Sequence, residues 1–190
     1  MKIRFLALSM ALAGVLGSNA FAMTNTEYKA EKTRISSEYK ANKQKCDALK
    51  ANAKDICLAE AKGADKVALA EAEAQYKPSA KHTRDVAMAK ADAAYNIAKE
   101  KCDDQTGNAK DVCIKAAKAA QVKAREDSKV AKVSADGNAA GSAKMADTKK
   151  EANDEKREAD YKVARERCDA LSGAKKDTCQ NDAKAKFGMK

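Results

Sequence analysis

Residues 46–57 read CDALKANAKDIC, and a closely related text returns as CDDQTGNAKDVC at 102–113 and as CDALSGAKKDTC at 168–179. In every copy an Asp follows the first cysteine, and a Lys-Asp pair lies shortly before the second. Each copy also has a tyrosine seven residues before its first cysteine, at Tyr39, Tyr95 and Tyr161. Repetition in register of this kind predicts a protein built from three copies of one structural unit.

The segments on either side of each cysteine pair have the periodicity of helices, because small and apolar residues recur at steps of three and four. These stripes are Ile35, Tyr39, Asn42, Cys46 and Leu49; Met88, Ala91, Tyr95, Ala98 and Cys102; Tyr161, Ala164, Cys168 and Leu171; Cys57, Ala61, Ala64 and Ala68; and Cys113, Ala117, Ala120 and Ala124. We expect the helices to pair through the alanines, with Tyr and Leu filling the remaining gaps. The three repeated tyrosines then either cover the disulfide and the alanine seam or present a binding surface.

The segment between the two cysteines of each copy has the residues of a turn. Gly107 and Gly173 are able to take the left-handed conformation that ends many helices, whereas copy one has no glycine there. Asn52 and Asn108 are predicted to cap the helix that follows, and copy three has Ala174 at that position. A helical hairpin is therefore favoured over one continuous helix.

Six cysteines predict a disulfide framework in a chain that is exported from the cytosol, and the N-terminal residues described in the next paragraph indicate export. The repeat favours pairing within each copy, as Cys46–Cys57, Cys102–Cys113 and Cys168–Cys179. In a continuous helix the paired Cα atoms would lie about 16 Å apart, beyond the roughly 7 Å that a disulfide tolerates. That alternative requires intermolecular bonds. The wide cysteine spacing and the single histidine, His82, argue against a zinc site.

The first 22 residues have the pattern of a secretory signal peptide. Lys2 and Arg4 precede an apolar run at 5–16, and Ala20-Phe21-Ala22 has the small residues that a signal peptidase needs. The run is too short to span a bilayer stably. We expect cleavage after Ala22 and a periplasmic or secreted protein.

The exported chain would carry 36 basic and 28 acidic residues, a net charge of +8. The two signs are interleaved and Trp is absent, which argues against a nucleic-acid-binding protein. Only 16 of the 168 residues after Ala22 are Ile, Leu, Val or Phe, too few for an ordinary globular core. No catalytic motif is present, so we predict no enzyme activity, no catalytic residue, no cofactor and no metal.

The fold prediction is all-α: an elongated array of three disulfide-clipped antiparallel helical hairpins. Pro78 disfavours helix at the residue before it, which places a boundary there. The predicted units are repeat 1 at 23–78, repeat 2 at 79–132, a flexible linker at 133–144, and repeat 3 with a short second arm at 145–190.

The repeated text resembles a group of Ala/Lys-rich exported repeat proteins of Gram-negative bacteria, often labelled cell envelope biogenesis or TolA-like proteins. The similarity to TolA itself is one of composition, limited to its long Ala/Lys/Glu helical stalk. Unlike TolA, this chain has an N-terminal segment that looks cleavable, and no C-terminal globular domain is expected. The resemblance implies an envelope location and supplies no site residues.

These observations predict a non-enzymatic periplasmic protein that presents charged helical surfaces to an envelope partner. The partner would be a protein, lipopolysaccharide or peptidoglycan, bound weakly and in a salt-sensitive way, without membrane insertion. The alternative is a soluble binding module or a stress-protective chaperone that holds ligands along its Ala/Tyr seams.

Overall fold

A computed structural model describes residues 22–137 and 141–190. The predicted signal peptide therefore lies outside the described residues except for Ala22. The described chain forms six helices and no strand. They are α1 (Asn25–Cys46), α2 (Ala51–Tyr76), α3 (Ala80–Cys102), α4 (Gly107–Ala135), α5 (Gly141–Cys168) and α6 (Gly173–Phe187).

The helices form a single antiparallel layer in chain order. Among the described residues, each helix packs only on the helix before it and the helix after it. Every described helix therefore contacts only its neighbours along the chain. The predicted fold class is confirmed.

Each hairpin is closed by the disulfide that the repeat predicts. The bonds are Cys46–Cys57, Cys102–Cys113 and Cys168–Cys179, with Cα atoms 5.6, 5.7 and 5.7 Å apart. The first cysteine of each pair is fully buried, and the second is half-buried. These intramolecular bonds exclude the continuous-helix alternative.

The interfaces between successive hairpins, α2 with α3 and α4 with α5, are more extensive than the interfaces between the two arms of one hairpin. Small residues allow this close approach. A Cβ atom added to Gly63 on α2 would lie 2.9 Å from the Cβ of Ala93 on α3. In the second interface, Ala119 of α4 clusters with Ala159 and Val163 of α5. The three hairpins are therefore one continuous array.

The predicted seams are correct at some positions and wrong at others. Ile35, Ala61 and Ala91 are buried as expected. The exposed residues Ala64, Ala120, Ala124, Leu49 and Leu171 are not in the seams. On α4 the buried positions after Cys113 include Gln121 and Ser128. Steps of four residues from Cys113 lead to Gln121, so the neighbouring Ala120 lies on another face of the helix and is exposed. Leu49 and Leu171 lie in the turns that follow α1 and α5, so neither fills a gap in the seams.

The helix starts differ from the predicted caps. Thr24 forms a capping box with Glu27 at α1, and the Ser79 side chain caps α3. The N-caps of α2, α4 and α6 are Lys50, Thr106 and Ser172, and none of their side chains makes a capping hydrogen bond. The prediction that Asn52 and Asn108 are N-caps is wrong, because both lie inside the first turn and their side chains have other partners.

The three turns share one conformation at the residue that begins the second helix. Gly107 and Gly173 have φ values of +57° and +55°, and Ala51 holds the same place in copy one with φ of +48°. Glycine adopts this left-handed region freely, whereas a Cβ costs about 1–2 kcal/mol there.

We therefore expect Ala51→Gly to raise the free energy of unfolding by about 1 kcal/mol. The matched substitutions Gly107→Ala and Gly173→Ala should lower it by a similar amount. Urea denaturation of the oxidised proteins measures both effects. Equal stability of Ala51→Gly and the wild type would contradict the shared turn conformation.

Helix occupies both ends of the segment that the composition marks as a linker. α4 continues through Ala135 and α5 begins at Gly141, within the predicted linker at 133–144. Residues 138–140 lie outside the described residues. Pro78 does separate two helices, since α2 ends at Tyr76 and α3 starts at Ala80. None of the described helices combines the length and the apolar character needed to cross a membrane.

Candidate functional site

The three cysteine-clipped turns lie along one edge of the array. All three hairpins reverse direction there, because the array is antiparallel and each turn joins the first arm of a hairpin to its second arm. We call this edge the tip edge and define it as residues 46–57, 102–113 and 168–179. It is the part of the molecule in which the sequence repeat is most complete.

The Asp and Lys that recur in the repeat form an ion pair across each turn. The pairs are Asp47–Lys54 at 3.0 Å, Asp103–Lys110 at 3.0 Å and Asp169–Lys176 at 2.8 Å. The hydrogen bond from Lys176 is the main reason that the pKa of Asp169 lies below its ordinary value. All six side chains are at least partly exposed, so the pairs contribute modestly to stability. Their recurrence in the sequence has this structural explanation.

The asparagines of the first two turns join one hairpin to the next. The Asn52 amide donates to the backbone carbonyl of Glu100 at 2.9 Å and to the Asp104 carboxylate at 2.7 Å. The Asn108 amide donates to the carbonyl of Glu166 at 2.8 Å. Each asparagine thereby gives a second donor to a carbonyl in the last turn of the next first arm, which already accepts from the backbone N–H of Asp103 or Asp169. The sequence repeat marks these residues but does not identify their partners, which lie 48 and 58 residues away.

A polar network around the buried side chain of Gln121 connects α3 and α4 inside the second hairpin. The Gln121 amide donates to the Asp92 carboxylate at 2.6 Å and accepts from the Lys118 ammonium at 2.7 Å. Arg125 lies 3.7 Å from the same carboxylate. The Gln121 amide is satisfied at both its nitrogen and its oxygen, whereas the buried Nε of Arg125 has no hydrogen-bond partner within the described chain. The network therefore links the two helices through Gln121. It was missed from the sequence because the first and third copies have different residues at these positions.

The repeated tyrosines are all half-buried. The Lys118 ammonium lies 5.1 Å from the centre of the Tyr95 ring, and Phe187 meets Tyr161 edge-on at 6.5 Å. In these two copies the ring therefore contacts the second arm of its own hairpin. Tyr39 has no such aromatic or cationic neighbour among the described residues.

Two other tyrosines form a cluster at the opposite edge of the first hairpin, which the sequence reading missed. Tyr28 of α1 and Tyr76 of α2 stack with ring centres 4.5 Å apart and planes 6° from parallel. Asn25 donates to the Tyr76 hydroxyl at 3.0 Å, and the Tyr28 hydroxyl donates to the Glu73 carboxylate. This cluster fastens the start of α1 to the end of α2. The available signal was that Tyr28 precedes the buried Ile35 by seven residues, on the same helical face.

The contact between Tyr28 and Glu73 predicts a pH dependence. Its hydrogen bond is the main cause that raises the pKa of Tyr28 and lowers the pKa of Glu73. The contribution of neutral Tyr28 should be complete below about pH 10 and be lost as pH rises through the folded pKa. The contribution of ionised Glu73 should be lost as pH falls through its lowered pKa.

Phenolate absorbance during an alkaline titration tests this expectation. The pKa of Tyr28 should lie above the ordinary value of a tyrosine, and Glu73→Gln should lower it. Tyr39→Phe is the control, because it removes a tyrosine outside this cluster. Identical titration of the wild type and Glu73→Gln would contradict the assignment.

The His, Cys, Asp and Glu side chains of the described residues are spread along the helices. No group of three or more His, Cys, Asp or Glu side chains in the described parts of the chain is placed to hold a metal ion. His82 is half-buried and contacts Ser79 and the carbonyl of Lys77 at the joint that contains Pro78. A groove of about 300 Å³ lies between the start of α3 and the end of α4, lined by four alanines and by Thr83, Arg84, Ser128 and Lys132.

Comparison of the chain with protein-family models, with curated proteins and with solved structures found no match. The arrangement of its own residues is therefore the basis for a functional proposal.

Proposed function

We propose that this is a non-enzymatic structural or interaction protein of the bacterial periplasm that presents charged helical surfaces to a partner in the cell envelope. The observation that carries the proposal is the single layer of helices, in which each helix packs only on its chain neighbours. Both broad faces of the layer are then left to solvent and to partners. Repeat arrays commonly bind through extended surfaces of this kind.

The disulfides support an oxidising compartment. All six cysteines are paired within the chain, and structural disulfides of this type persist outside the reducing cytosol. The periplasm is consistent with the predicted signal peptide. Its boundaries offer lipopolysaccharide, peptidoglycan and envelope proteins as partners.

The charge distribution favours weak attraction to an anionic partner. The exported chain would carry 36 basic against 28 acidic residues, and exposed lysines such as Lys40, Lys43, Lys149 and Lys150 make no ion pair within the described chain. Many other lysines are neutralised locally; Lys90 pairs with Glu71 and Lys123 with Asp160, each at 2.7 Å. Exposed charges are screened within about 8 Å at physiological salt. Binding should therefore be reversible and should weaken steeply with ionic strength.

Retention of the exported chain on lipopolysaccharide or anionic vesicles, at low and at high salt, tests the proposal. We expect retention at low salt and release at high salt. The double variants Lys40→Glu/Lys43→Glu on α1 and Lys149→Glu/Lys150→Glu on α5 change the net charge equally at distant places. A diffuse charged surface predicts that both lose retention to the same extent.

Two outcomes would contradict this mode of binding. Absence of retention at low salt would exclude an anionic partner. Retention that survives high salt would indicate a specific apolar or aromatic site. Recovery of a periplasmic protein with the tagged chain, in a salt-sensitive complex, would support a protein partner instead of a polymer.

The groove between α3 and α4 favours a second candidate, a soluble binding module. Its walls include Ala80, Ala87, Ala131 and Ala135, so it would suit a small apolar group. Ala131→Met should fill the groove and reduce the binding of an apolar fluorescent probe, with little effect of salt. Unchanged probe binding in Ala131→Met would exclude this groove as the site.

A further inference from the structure

The two interfaces between hairpins use equivalent positions of the repeat. Gly63 and Ala119 each lie six residues after the second cysteine of their own hairpin. Each meets two residues of the following hairpin, which lie nine and five residues before the first cysteine of that hairpin. Those partners are Ala93 and Ile97 in the first interface, and Ala159 and Val163 in the second. Asn52 and Asn108, five residues before the second cysteine, add the hydrogen bond at the tip edge. Each interface therefore combines a small-residue contact, an aliphatic side chain and an asparagine.

The outer face of α1 lacks these features. It carries the positions through which α3 and α5 dock on a preceding hairpin, but no hairpin precedes it among the described residues. Ser37 replaces the buried Ala93 and Ala159, and Ala41 replaces Ile97 and Val163. Both residues are exposed. The outer face of α1 thus has a hydroxyl and a methyl group where the inner interfaces have a methyl and a larger aliphatic side chain.

The outer face of α6 keeps one of the complementary features and lacks another. Ala185 stands six residues after Cys179 and keeps the small side chain of Gly63 and Ala119. Ala174 stands where Asn52 and Asn108 make their bonds to the next hairpin. Gln180 stands where the first two copies have Leu58 and Ile114, directly after the second cysteine. The substitutions at α1 and α6 are independent in sequence. α1 lacks the aliphatic side chain, and α6 lacks the asparagine, that join successive hairpins, and Gln180 is polar where Leu58 lines the groove between α2 and α3.

We infer that the outer faces of α1 and α6 are terminating surfaces, which prevent a second copy of this chain from docking end to end. The inner interfaces are heterologous, since the second arm of one hairpin meets the first arm of the next. Contacts of that type between separate molecules produce rings when the rotation closes and open filaments when it does not. Repeat arrays remain soluble when their terminal units carry polar outer faces. A partner consequently has the broad faces and the tip edge available, independently of the function proposed above.

Restoring the inner residues at both ends tests the inference. The variant Ser37→Ala/Ala41→Ile/Ala174→Asn/Gln180→Ile should assemble end to end, with a sedimentation coefficient that rises with protein concentration. The wild type should remain monomeric over the same range. The two half-variants, Ser37→Ala/Ala41→Ile and Ala174→Asn/Gln180→Ile, should stay monomeric alone and associate when mixed.

A control separates specific docking from general stickiness. Ala94→Ile/Gln105→Ile adds two isoleucines at exposed positions outside the end faces and should remain monomeric. Circular dichroism establishes that every variant is folded. A folded four-residue variant that stays monomeric would overturn the inference, as would a wild type whose self-association is abolished by Ser37→Glu or Ala185→Glu.

Discussion

Loss of the central disulfide, in the variant Cys102→Ser/Cys113→Ser, is expected to lower the free energy of unfolding by about 3 kcal/mol. Closing a loop of this length restricts the unfolded chain by roughly that amount on the chain-entropy model. The effect is large for this protein because few large apolar side chains are buried. Ile35 is the only Ile, Leu or Phe among the fully buried residues of the described chain.

The position of the bond in the array makes the prediction more specific. The central hairpin contributes to both inter-hairpin interfaces, whereas α6 packs on α5 alone among the helices that the structure describes. Cys168→Ser/Cys179→Ser should therefore free α6 with less effect on the rest of the array. Urea denaturation gives the global stability, and hydrogen exchange locates the released helices.

Complete reduction provides the independent test. Local helix should persist, because Ala, Lys and Glu are strong helix formers. The packed array should melt at a lower temperature, and X-ray scattering should show a larger radius. A melting curve that is unchanged after full reduction would contradict the dependence of the array on its disulfides.

Gly63→Leu is expected to lower the free energy of unfolding by about 2 kcal/mol. Gly63 is buried in the α2–α3 interface, where even a Cβ atom would come within 2.9 Å of the Cβ of Ala93. Overpacking costs about 1–3 kcal/mol, and the better helix propensity of leucine returns roughly 1 kcal/mol of it at most. The two helices would have to separate to admit the side chain.

Neighbouring substitutions test the cause. Ala64→Leu places the same side chain at an exposed position of α2 and should have little effect. Gly63→Ala combined with Ala93→Gly exchanges the methyl group between the helices, so the two changes should compensate in a double-mutant cycle. Additive effects of Gly63→Ala and Ala93→Gly would show that the close approach does not limit stability.

The disulfide pairing and the helical hairpins could be predicted because both depend on local sequence. Each bond joins residues only 11 apart, and the turn between them is encoded within the same short segment. Even there, the backbone conformation of individual residues could not be predicted. Ala51 adopts the conformation of Gly107 and Gly173 despite its Cβ, because the same turn is imposed on all three copies.

The candidate sites were predicted less completely. The cysteines were identified with their partners, whereas Asn52 and Asn108 were assigned to the ends of their own helices. Their hydrogen bonds reach the next hairpin, and no local pattern reveals a partner about 50 residues away. The Tyr28–Tyr76 stack was missed for the same reason, because it joins the start of α1 to the end of α2, which are far apart in the sequence.

The sequence by itself determined the helices, the three turns and the disulfides that close them, through periodicity and short cysteine spacing. Only the tertiary structure decided which helical faces meet and that successive hairpins share the larger interfaces. The physical reason is that alanines occur on every face of these helices, so hydrophobicity alone does not select a seam. The selection comes from close contacts such as Gly63 with Ala93, and from long-range hydrogen bonds such as Asn108 with Glu166.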